Sequence, residues 1–560
     1  MIELKEPSPP RALSPAAALA VCLAIAGSFW GYWTLFPKLT AISDGNDVLF
    51  LLDGARRIAA GEMPHVDFSL PTGVLPYLNY LGAERLFPQF SSYMGAHLIG
   101  FLLLSPILVV AMARMPKATA ALALAGVVAI AALVPSNIRG GDGYGLVFNA
   151  SYNRLGAALS LAYLAWLFRA GRSLSWANGL VVAYAALFAF FLKIVLVGVI
   201  IGPLVVLAAL DKGWRRAGML SLAIAGATLF ILELAGAPIG AYIADIHTMS
   251  RVNAGMVPHL FATFIFRTLF QQLLIAALVL WLLLERWHAS QGASSISQQL
   301  AGVAEPLAML AAIVTITAAE SQSTGGLELT SALGLLFAPG LIGRPVQLPR
   351  LTMLAAGVSL LAGPLVIRTF ENTTAVLLQR EGKPVAVSWV TRYLPHTLIP
   401  EPMMRQAAAT AGLWEQDNIR DALQKVGPDR INLSAPRLFL TQWVSVDHAL
   451  QRIPHEEISR LGAVMTLANV DLFGLALGAE PVKGIKVVHD VGRTIQPLTD
   501  AEARAYLAKA DTVFQPTCLI DRVQGFEPMS PWFTAALQAE FLPHVLTPCW
   551  TMYRRIAAGG

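Results

Sequence analysis

The sequence predicts a polytopic α-helical membrane protein that ends in a water-soluble α/β domain. Of its 560 residues, 56% are hydrophobic and 13% are charged, whereas a soluble domain usually carries about 25% charged residues. The mean hydropathy is positive. Long apolar runs stop near residue 367, and charged residues and prolines become frequent beyond it. The chain therefore divides into a membrane region, 1–367, and a soluble region, 368–560.

Eleven apolar runs in the membrane region predict spanning helices, each of which needs about 20 mainly apolar residues. They cover residues 13–36, 92–113, 118–135, 154–169, 176–192, 194–210, 217–238, 261–284, 303–319, 327–342 and 351–367. Only Lys193 separates the fifth run from the sixth, so two spans and one long buried hairpin are both open. Acidic residues before the first run favour a retained span over a cleaved signal peptide.

The positions of the basic residues predict a cytoplasmic N-terminus, because Lys and Arg accumulate in short cytoplasmic loops. In that orientation every inner segment is basic, with Lys5, Arg11, Arg114, Lys117, Arg169, Arg172, Lys212, Arg215, Arg216, Arg286, Arg344 and Arg350. An odd number of spans places the soluble region outside, which is the periplasm for a bacterial inner-membrane protein. The formal charge of +5 follows from this topology, so we expect no nucleic-acid partner.

The first outer loop, residues 37–91, predicts its own helices. In the segment NDVLFLLDGARRIAAG, apolar residues recur at helical spacing, and Asp53, Arg56 and Arg57 fall on the opposite face. Such a segment predicts an amphipathic helix along the membrane surface. Gly61 and Pro64 end it, and a second amphipathic stretch, GVLPYLNYLGAERLF, follows.

The soluble region predicts a mixed α/β domain. Strand-like runs at 437–440, 463–467, 485–488 and 512–514 alternate with helix-like stretches such as LTDAEARAYLAKA. Cys518 and Cys549 lie in this region, where a disulfide and two free thiols are both open interpretations. Cys22, in the first apolar run, is interpreted as a packing residue. His489, Asp490, Trp443 and Trp550 either pack the domain or bind an acceptor.

Two carboxylates, Asp44 and Asp47, directly follow the first predicted span in the segment SDGNDVLF. Each is a candidate N-cap, because a side-chain oxygen there satisfies free backbone N–H groups. The wider pattern over about residues 40–80 also includes ARRIAAG and GEMPHVDFSLPTGVLPYL. It resembles the C-type (GT-C) glycosyltransferases, a family that includes protein O-mannosyltransferases and the lipid A aminoarabinose transferases. Val48 stands where that family often has a second acidic residue.

The resemblance implies an inverting glycosyltransferase that moves a sugar from a polyprenyl-phosphate donor to an extracytoplasmic glycan, lipid or protein acceptor. A carboxylate would take the proton of the acceptor hydroxyl, and cations would neutralise the departing phosphate. The candidate catalytic residues are Asp44 and Asp47, and the candidate phosphate ligands are Arg267, Lys193, Arg251 and Arg139. The candidate sugar or acceptor ligands are His65, Asp67, Asp142, Asn153, Asp245, His247 and Glu320.

Two non-catalytic functions stay open at this point: a lipid-glycan flippase or transporter, and an envelope assembly protein. Inverted repeats and broken helices, which are typical of transporters, are not clear in the sequence, although Pro203 lies inside one run. The sequence has no P-loop, GxSxG, HExxH or CxxC motif. Its histidines are scattered, so no metal site is predicted, and the need for a divalent cation stays open.

Overall fold

The computed structural model describes residues 13–35, 39–43, 45–134, 146–147, 151–170, 176–292, 295–322, 329–338, 358–359, 363, 366–367, 387–394, 396–399, 401–416, 436–518 and 529–556. In the membrane region these residues form thirteen α-helices, two short strands and one 3₁₀-helix. The helices are α1 Pro15–Leu35, α2 Gly45–Ala59, α3 Leu75–Leu86, α4 Ser92–Met112, α5 Ala118–Leu133, α6 Ser151–Leu167, α7 Trp176–Leu192, α8 Val195–Leu210, α9 Lys212–Leu234, α10 Ile239–Asn253, α11 Val257–Arg267, α12 Leu269–Ser290 and α13 Ile296–Ser321. The strands are β1 Leu39–Ser43 and β2 Leu146–Val147, and the 3₁₀-helix is Thr330–Phe337.

Five of the described helices, α1, α4, α9, α12 and α13, are long and apolar enough to cross a membrane. Helices α5, α7 and α8 are also apolar but shorter. Helix α6 is buried on every side from Asn153 to Leu167 and forms the centre of the bundle. The chain is therefore a helical membrane protein, and the count of eleven spans stays a prediction.

The later predicted spans differ from the structure. The run 261–284 is two helices that meet at Thr268, whose hydroxyl donates to the Phe264 carbonyl (2.7 Å) and accepts from Gln272 (2.7 Å). Such back-bonding by threonine often bends helices. The described part of the run 327–342 is the 3₁₀-helix, about 16 Å long at about 2 Å per residue, and residues 339–342 of this run lie outside the described residues. The run 351–367 lies almost entirely outside the described residues.

Helices α7 and α8 form an antiparallel hairpin with Lys193 at its turn. Gly179, near the start of α7, packs against Leu220 of α9, and Ala208, near the end of α8, lies beside Gly218 of α9. The start of α7 and the end of α8 therefore lie at the same level of the bundle. Lys193 lies at the opposite level.

The soluble region is a mixed α/β domain, as predicted. Its helices are α14 Ser388–Thr391, α15 Glu401–Trp414, α16 Pro436–Leu450, α17 His455–Ile458, α18 Leu472–Leu477, α19 Asp500–Leu507 and α20 Ser530–Glu540. Its strands are β3 Thr397–Leu398, β4 Ala463–Thr466, β5 Glu480–Pro481, β6 Thr512–Pro516, β7 Phe541–Thr547 and β8 Trp550–Arg555. The sheet has the order β5-β4-β6-β8-β7, with β5, β4 and β6 parallel and β6, β8 and β7 antiparallel.

Two faces of this sheet pack against different partners. Met465 and Val513 join a core with α19 and α20, and Val464 and Phe514 face the rest of the molecule. The predicted strand 437–440 is wrong, because these residues begin α16. The predicted strand 485–488 is an extended segment that pairs with the outer loop, where the Ser69 N–H donates to the Ile485 carbonyl (3.0 Å).

Strand β1, which directly follows α1, ties three distant parts of the chain together. Ala41 pairs with Leu146 of β2, and Leu39 pairs with Thr397 of β3, both in parallel register. The end of α1, strand β2 and the soluble region therefore meet at one end of the bundle. We call this end the domain face.

The outer loop shares a hydrophobic core with the soluble region and does not lie alone on the membrane surface. Val48 and Leu52 of α2 and Tyr77 of α3 are buried in the same cluster as Trp443 and Phe473. The predicted helices α2 and α3 are both present, but the polar face of α2 is buried as well. This differs from the predicted solvent-facing side, because the soluble region covers it.

A buried ion cluster holds α2 against the soluble region. Asp53 accepts from Arg56 (2.8 Å) and Arg57 (2.9 Å), and Arg57 also reaches Glu62 (3.3 Å). The same two arginines donate to backbone carbonyls of the soluble region, those of Gly474, Ala479 and Val482. Burial alone would raise the pKa of Asp53, but the charges of Arg57 and Arg56 outweigh it and hold that pKa below its ordinary value.

We expect Arg57→Met to destabilise the protein by about 3 kcal/mol, because Asp53 and Glu62 would lose a buried cationic partner. The measurement is the melting temperature of the purified protein in detergent. The control is Arg405→Met, which breaks an exposed pair with Glu401 (2.7 Å) and should leave the melting temperature nearly unchanged. Equal melting of the two variants would show that the buried cluster does not hold the two regions together.

Candidate functional site

A polar cluster lies at the domain face around Lys193. The Lys193 ammonium donates to the Asn153 side chain of α6 (2.9 Å) and to the Gln322 carbonyl at the end of α13 (3.4 Å). It also lies over the ring of Tyr152, 5.7 Å from its centroid. Asp47, in the first turn of α2, is half-buried and interacts electrostatically with both Lys193 and Tyr152.

The outer loop packs closely against the end of α7, directly before Lys193. The Gly73 N–H donates to the Leu192 carbonyl (3.3 Å). A Cβ atom at Gly73 would lie 2.1 Å from the Phe191 carbonyl oxygen, so only glycine permits this approach. The outer loop therefore packs directly beside Lys193, with which Asp47 interacts electrostatically.

The soluble region contributes a second cation to this site. Arg493 pairs with Asp490 (2.9 Å), and its charge acts on Lys193 and Tyr152. Burial raises the pKa of the Asp490 carboxyl, and the guanidinium of Arg493 offsets part of that rise. The neighbouring Gly492 packs against Met256, just before α11. The site thus combines two cations and two carboxylates from both regions of the chain.

A second polar group at the domain face links the outer loop to α10. The Asp245 carboxylate accepts from His65 Nδ1 (2.9 Å), the Ser69 hydroxyl (2.7 Å) and the Leu70 N–H (3.3 Å). The side chains of His65 and Asp245 are only 3% and 9% exposed. His65 has a left-handed backbone, with φ of 64°, which costs a non-glycine residue about 1 kcal/mol or more. This group fixes the loop that carries Gly73.

The other predicted ligands have different positions. Glu320 accepts from the Leu329 N–H (2.6 Å) and the Ser331 hydroxyl (2.7 Å) at the start of the 3₁₀-helix, so it is held by structural contacts. Asp67 accepts from the Met63 N–H (2.8 Å) and closes its own turn. Arg251, His247 and Arg267 are exposed, and Arg267 lies over the Phe264 ring. Asp44, Arg139 and Asp142 lie outside the described residues.

Among the candidate acceptor residues of the soluble domain, both tryptophans and His489 make structural contacts, whereas Asp490 pairs with Arg493 in the cluster around Lys193. Trp443 and Trp550 are buried in the shared core. The Nδ1 atom of His489 contacts the Ala468 carbonyl (3.1 Å), and its Nε2 atom contacts the Tyr506 hydroxyl (2.8 Å). Cys518 and Cys549 form a disulfide, with Cα atoms 4.7 Å apart.

Three members of the cluster around Lys193 were not predicted from the sequence: Arg493, Tyr152 and Gln322. Arg493 lies in the segment VGRTIQP of a region without apolar spans. It reaches the site only through the packing of the soluble region on the domain face. Tyr152 is next to the predicted Asn153, and an aromatic residue beside a buried lysine was the signal that could have indicated it.

Comparison with known proteins does not assign this site. No protein-family model matches the chain, and no curated protein matches it significantly in sequence. In the described part of the chain, no group of three or more His, Cys, Asp or Glu side chains is placed to share a metal ion. The cluster around Lys193 can bind an anion through its cations, and its carboxylates can accept protons.

The buried His489 predicts a loss of stability in acid. Burial lowers its pKa to about 4 from an ordinary value of 6.5, so between these values the unfolded chain binds the proton more tightly. The stabilisation of the fold by the neutral His489 ring is therefore complete above pH 6.5. As the pH falls towards 4, the free energy of unfolding decreases by about 3 kcal/mol. We expect the melting temperature of His489→Gln to fall less than that of the unmodified protein between pH 7 and pH 4.5.

The matched control is His455→Gln, which changes an exposed histidine and should leave the pH dependence of melting unchanged. If His489→Gln and the unmodified protein lost the same number of degrees over this pH range, His489 would not be the group that titrates.

Proposed function

We propose that this protein is a membrane glycosyltransferase of the C type, which transfers one sugar from a polyprenyl-phosphate donor to an extracytoplasmic acceptor. The observation that carries this proposal is the cluster of Asp47, Lys193 and Arg493 at the domain face. A lipid-linked donor keeps its tail in the bilayer while its acceptor arrives from water, so the reaction belongs at such a boundary.

In this proposal the donor phosphate binds between Lys193 and Arg493. The two cations neutralise the charge that develops on the phosphate as it departs. Asp47 takes the proton of the acceptor hydroxyl, and the resulting oxygen attacks the anomeric carbon. One C–O bond forms as the bond from that carbon to the phosphate oxygen breaks, so the configuration inverts and polyprenyl phosphate leaves. Asn153 and Gln322 hold Lys193 in position.

Several contacts support an extracytoplasmic domain face and an orientation with the N-terminus inside. Arg114, which was predicted to be cytoplasmic, donates to the Ala170 carbonyl beyond the far end of α6 (2.8 Å). Arg286, also predicted to be cytoplasmic, pairs with Glu305 (3.3 Å). The disulfide is typical of proteins in oxidising compartments such as the bacterial periplasm. In this proposal the protein belongs to the bacterial inner membrane, with eleven spans and a periplasmic C-terminal domain.

We expect Asp47→Asn to reduce sugar transfer by about 10²- to 10⁴-fold, because a general base contributes roughly that factor. Membranes that contain the protein are incubated with radiolabelled polyprenyl-phosphate sugars, and label is counted in the glycan, lipid and protein fractions. Asp44→Asn is assayed separately, and Asp447→Asn, which lies in the soluble domain, is the control with full transfer. Full transfer by both the Asp44 and the Asp47 variants would contradict the proposal, and binding without turnover would favour a flippase or an assembly protein.

We expect Lys193→Met and Arg493→Met each to weaken binding of undecaprenyl phosphate by about tenfold or more. A hydrogen bond to a charged group contributes about 1.5–3 kcal/mol, which corresponds to this range of affinity. Binding is measured with tritiated undecaprenyl phosphate and the protein in lipid nanodiscs. Lys193→Arg should keep most of the affinity, and the exposed Arg405→Met should keep all of it. Unchanged affinity in both methionine variants at the site would exclude this phosphate position.

A further inference from the structure

Helix α12 begins at the domain face. Its neighbour α13 ends there, because the Gln322 carbonyl directly after α13 accepts from Lys193 (3.4 Å). Arg286, near the end of α12, pairs with Glu305 in the first half of α13 (3.3 Å). The two consecutive helices therefore run in opposite directions. The start of α12, at Leu269, lies at the domain face, and its end lies at the far end of the bundle.

An exposed apolar stripe on α12 indicates how this helix crosses the bilayer. Its members recur at helical spacing and are Phe270, Leu273, Leu280, Leu284 and Trp287. From Phe270 to Trp287 the helix rises about 26 Å at about 1.5 Å per residue, close to the hydrocarbon thickness of about 30 Å. Trp287 lies at the far end, and tryptophan is enriched at membrane boundaries. Phe270 therefore lies near the opposite boundary, at the domain face.

Helix α11 lies next to this boundary and is separated from α12 by the junction at Thr268. It has 11 residues, Val257–Arg267, and α12 alone is long enough to cross the hydrocarbon. Its two sides differ, because Phe264 is buried whereas Phe266 is 77% exposed. Phe270, just beyond the junction, is 78% exposed. A short amphipathic helix with exposed phenylalanines at this level is typical of a helix that lies in the membrane interface.

The exposed sides of α10 and α11 are basic. They carry two arginines and two histidines, which are His247, Arg251, His259 and Arg267. Asp245 is the only acidic residue in the sequence from 239 to 267, and its carboxylate accepts from His65 and Ser69 of the outer loop. The charge that this segment presents outward is therefore positive. Such a surface is complementary to the phosphate groups of anionic lipids.

We infer that α11 lies in the headgroup layer at the domain face, with Phe266 among the acyl chains, and that the basic side of α10 and α11 binds anionic phospholipids. The inference requires a helical membrane protein and does not rest on the proposed function. Asn253, at the end of α10, donates to the Gln322 side chain (3.1 Å), and the Gln322 carbonyl accepts from Lys193. The anchored segment therefore fixes the level of the cluster around Lys193 relative to the bilayer.

The first measurement is the depth of position 266 in the membrane. The chain has three cysteines, and two of them form the disulfide, so Cys22→Ser leaves no free thiol. A bimane fluorophore is attached to Phe266→Cys in the full-length protein in lipid nanodiscs. We expect chain-brominated lipids to quench it strongly and aqueous iodide weakly, and the fluorophore at Arg405→Cys in the soluble domain to show the reverse. Equal quenching by iodide at the two positions would overturn the inference.

The second measurement is the headgroup preference of the lipids around α11. The nanodiscs contain equal parts of phosphatidylglycerol and phosphatidylcholine, and only one of the two is brominated. We expect brominated phosphatidylglycerol to quench the fluorophore at position 266 about fivefold more efficiently than brominated phosphatidylcholine. Arg251→Gln combined with Arg267→Gln should abolish this preference, because both changes remove a cation from the exposed surface.

The matched control is Phe230→Cys, which replaces an exposed phenylalanine of α9 that lies close in sequence to Glu233 and not to an arginine. The fluorophore at this position should show no preference for the anionic lipid. Equal quenching by the two lipids at position 266 would contradict the inference even if this position lies in the membrane. A preference that survives in the double arginine variant would contradict it as well.

Discussion

The buried charges of Arg56 and Arg57 are the constraint on which the rest of the structure depends. The guanidinium group of Arg57 is fully buried and that of Arg56 is largely buried, so both require acceptors. Here the acceptors come from both regions of the chain. Asp53 and Glu62 supply the negative charge, and three backbone carbonyls near α18 and β5 supply further acceptors. Helix α2 is therefore fixed in direction, and so is Asp47 in its first turn.

Asp471 of the soluble region lies close to the charges of Asp53, Arg56 and Arg57. Its carboxylate accepts from the Thr466 hydroxyl (2.8 Å) and the Gly474 N–H (3.1 Å). Burial and the nearby charge of Asp53 raise its pKa, although Arg56 and Arg57 oppose this. Three acidic groups thus lie around the two arginines. The soluble region is attached to the outer loop by this shared charge together with the common apolar core.

Local patterns predicted the elements well, because their signals lie within a few residues. Helices α2 and α3, strands β4 and β6, and helix α19 were all predicted from local sequence patterns. The structure adds a capping box at Thr499 and Glu502 to the start of α19. The environment of those elements could not be predicted in the same way. The polar face of α2 looked solvated because the covering carbonyls lie far away in the sequence. The residues 437–440 looked like a strand because four apolar-rich residues fit either structure.

The candidate site followed the same rule. Asp47, Lys193 and Asn153 could be selected because a charged or polar group at the end of an apolar run is conspicuous, whereas Arg493 is an ordinary arginine in its own segment. Glu320 was as conspicuous in the sequence as Lys193, yet its carboxylate accepts hydrogen bonds from Leu329 and Ser331 at the start of the 3₁₀-helix. A polar side chain beside the membrane can belong to a binding site or can satisfy backbone groups nearby. Which of the two it does depends on long-range contacts that local sequence patterns do not show.

The pairing of β1 with β3 sets the order in which the molecule can mature. Strand β1 leaves the ribosome directly after the first helix, but its partner Thr397–Leu398 and the loop with Arg493 follow only after the whole helical bundle has been made. During synthesis the edge of β1 that pairs with β3, and the arginines of α2 that bond the soluble region, have no partners there until the last third of the chain has been made. Assembly of the cluster around Lys193 therefore coincides with completion of the protein, and a chain that stops early retains Asp47 and Lys193 without the second cation.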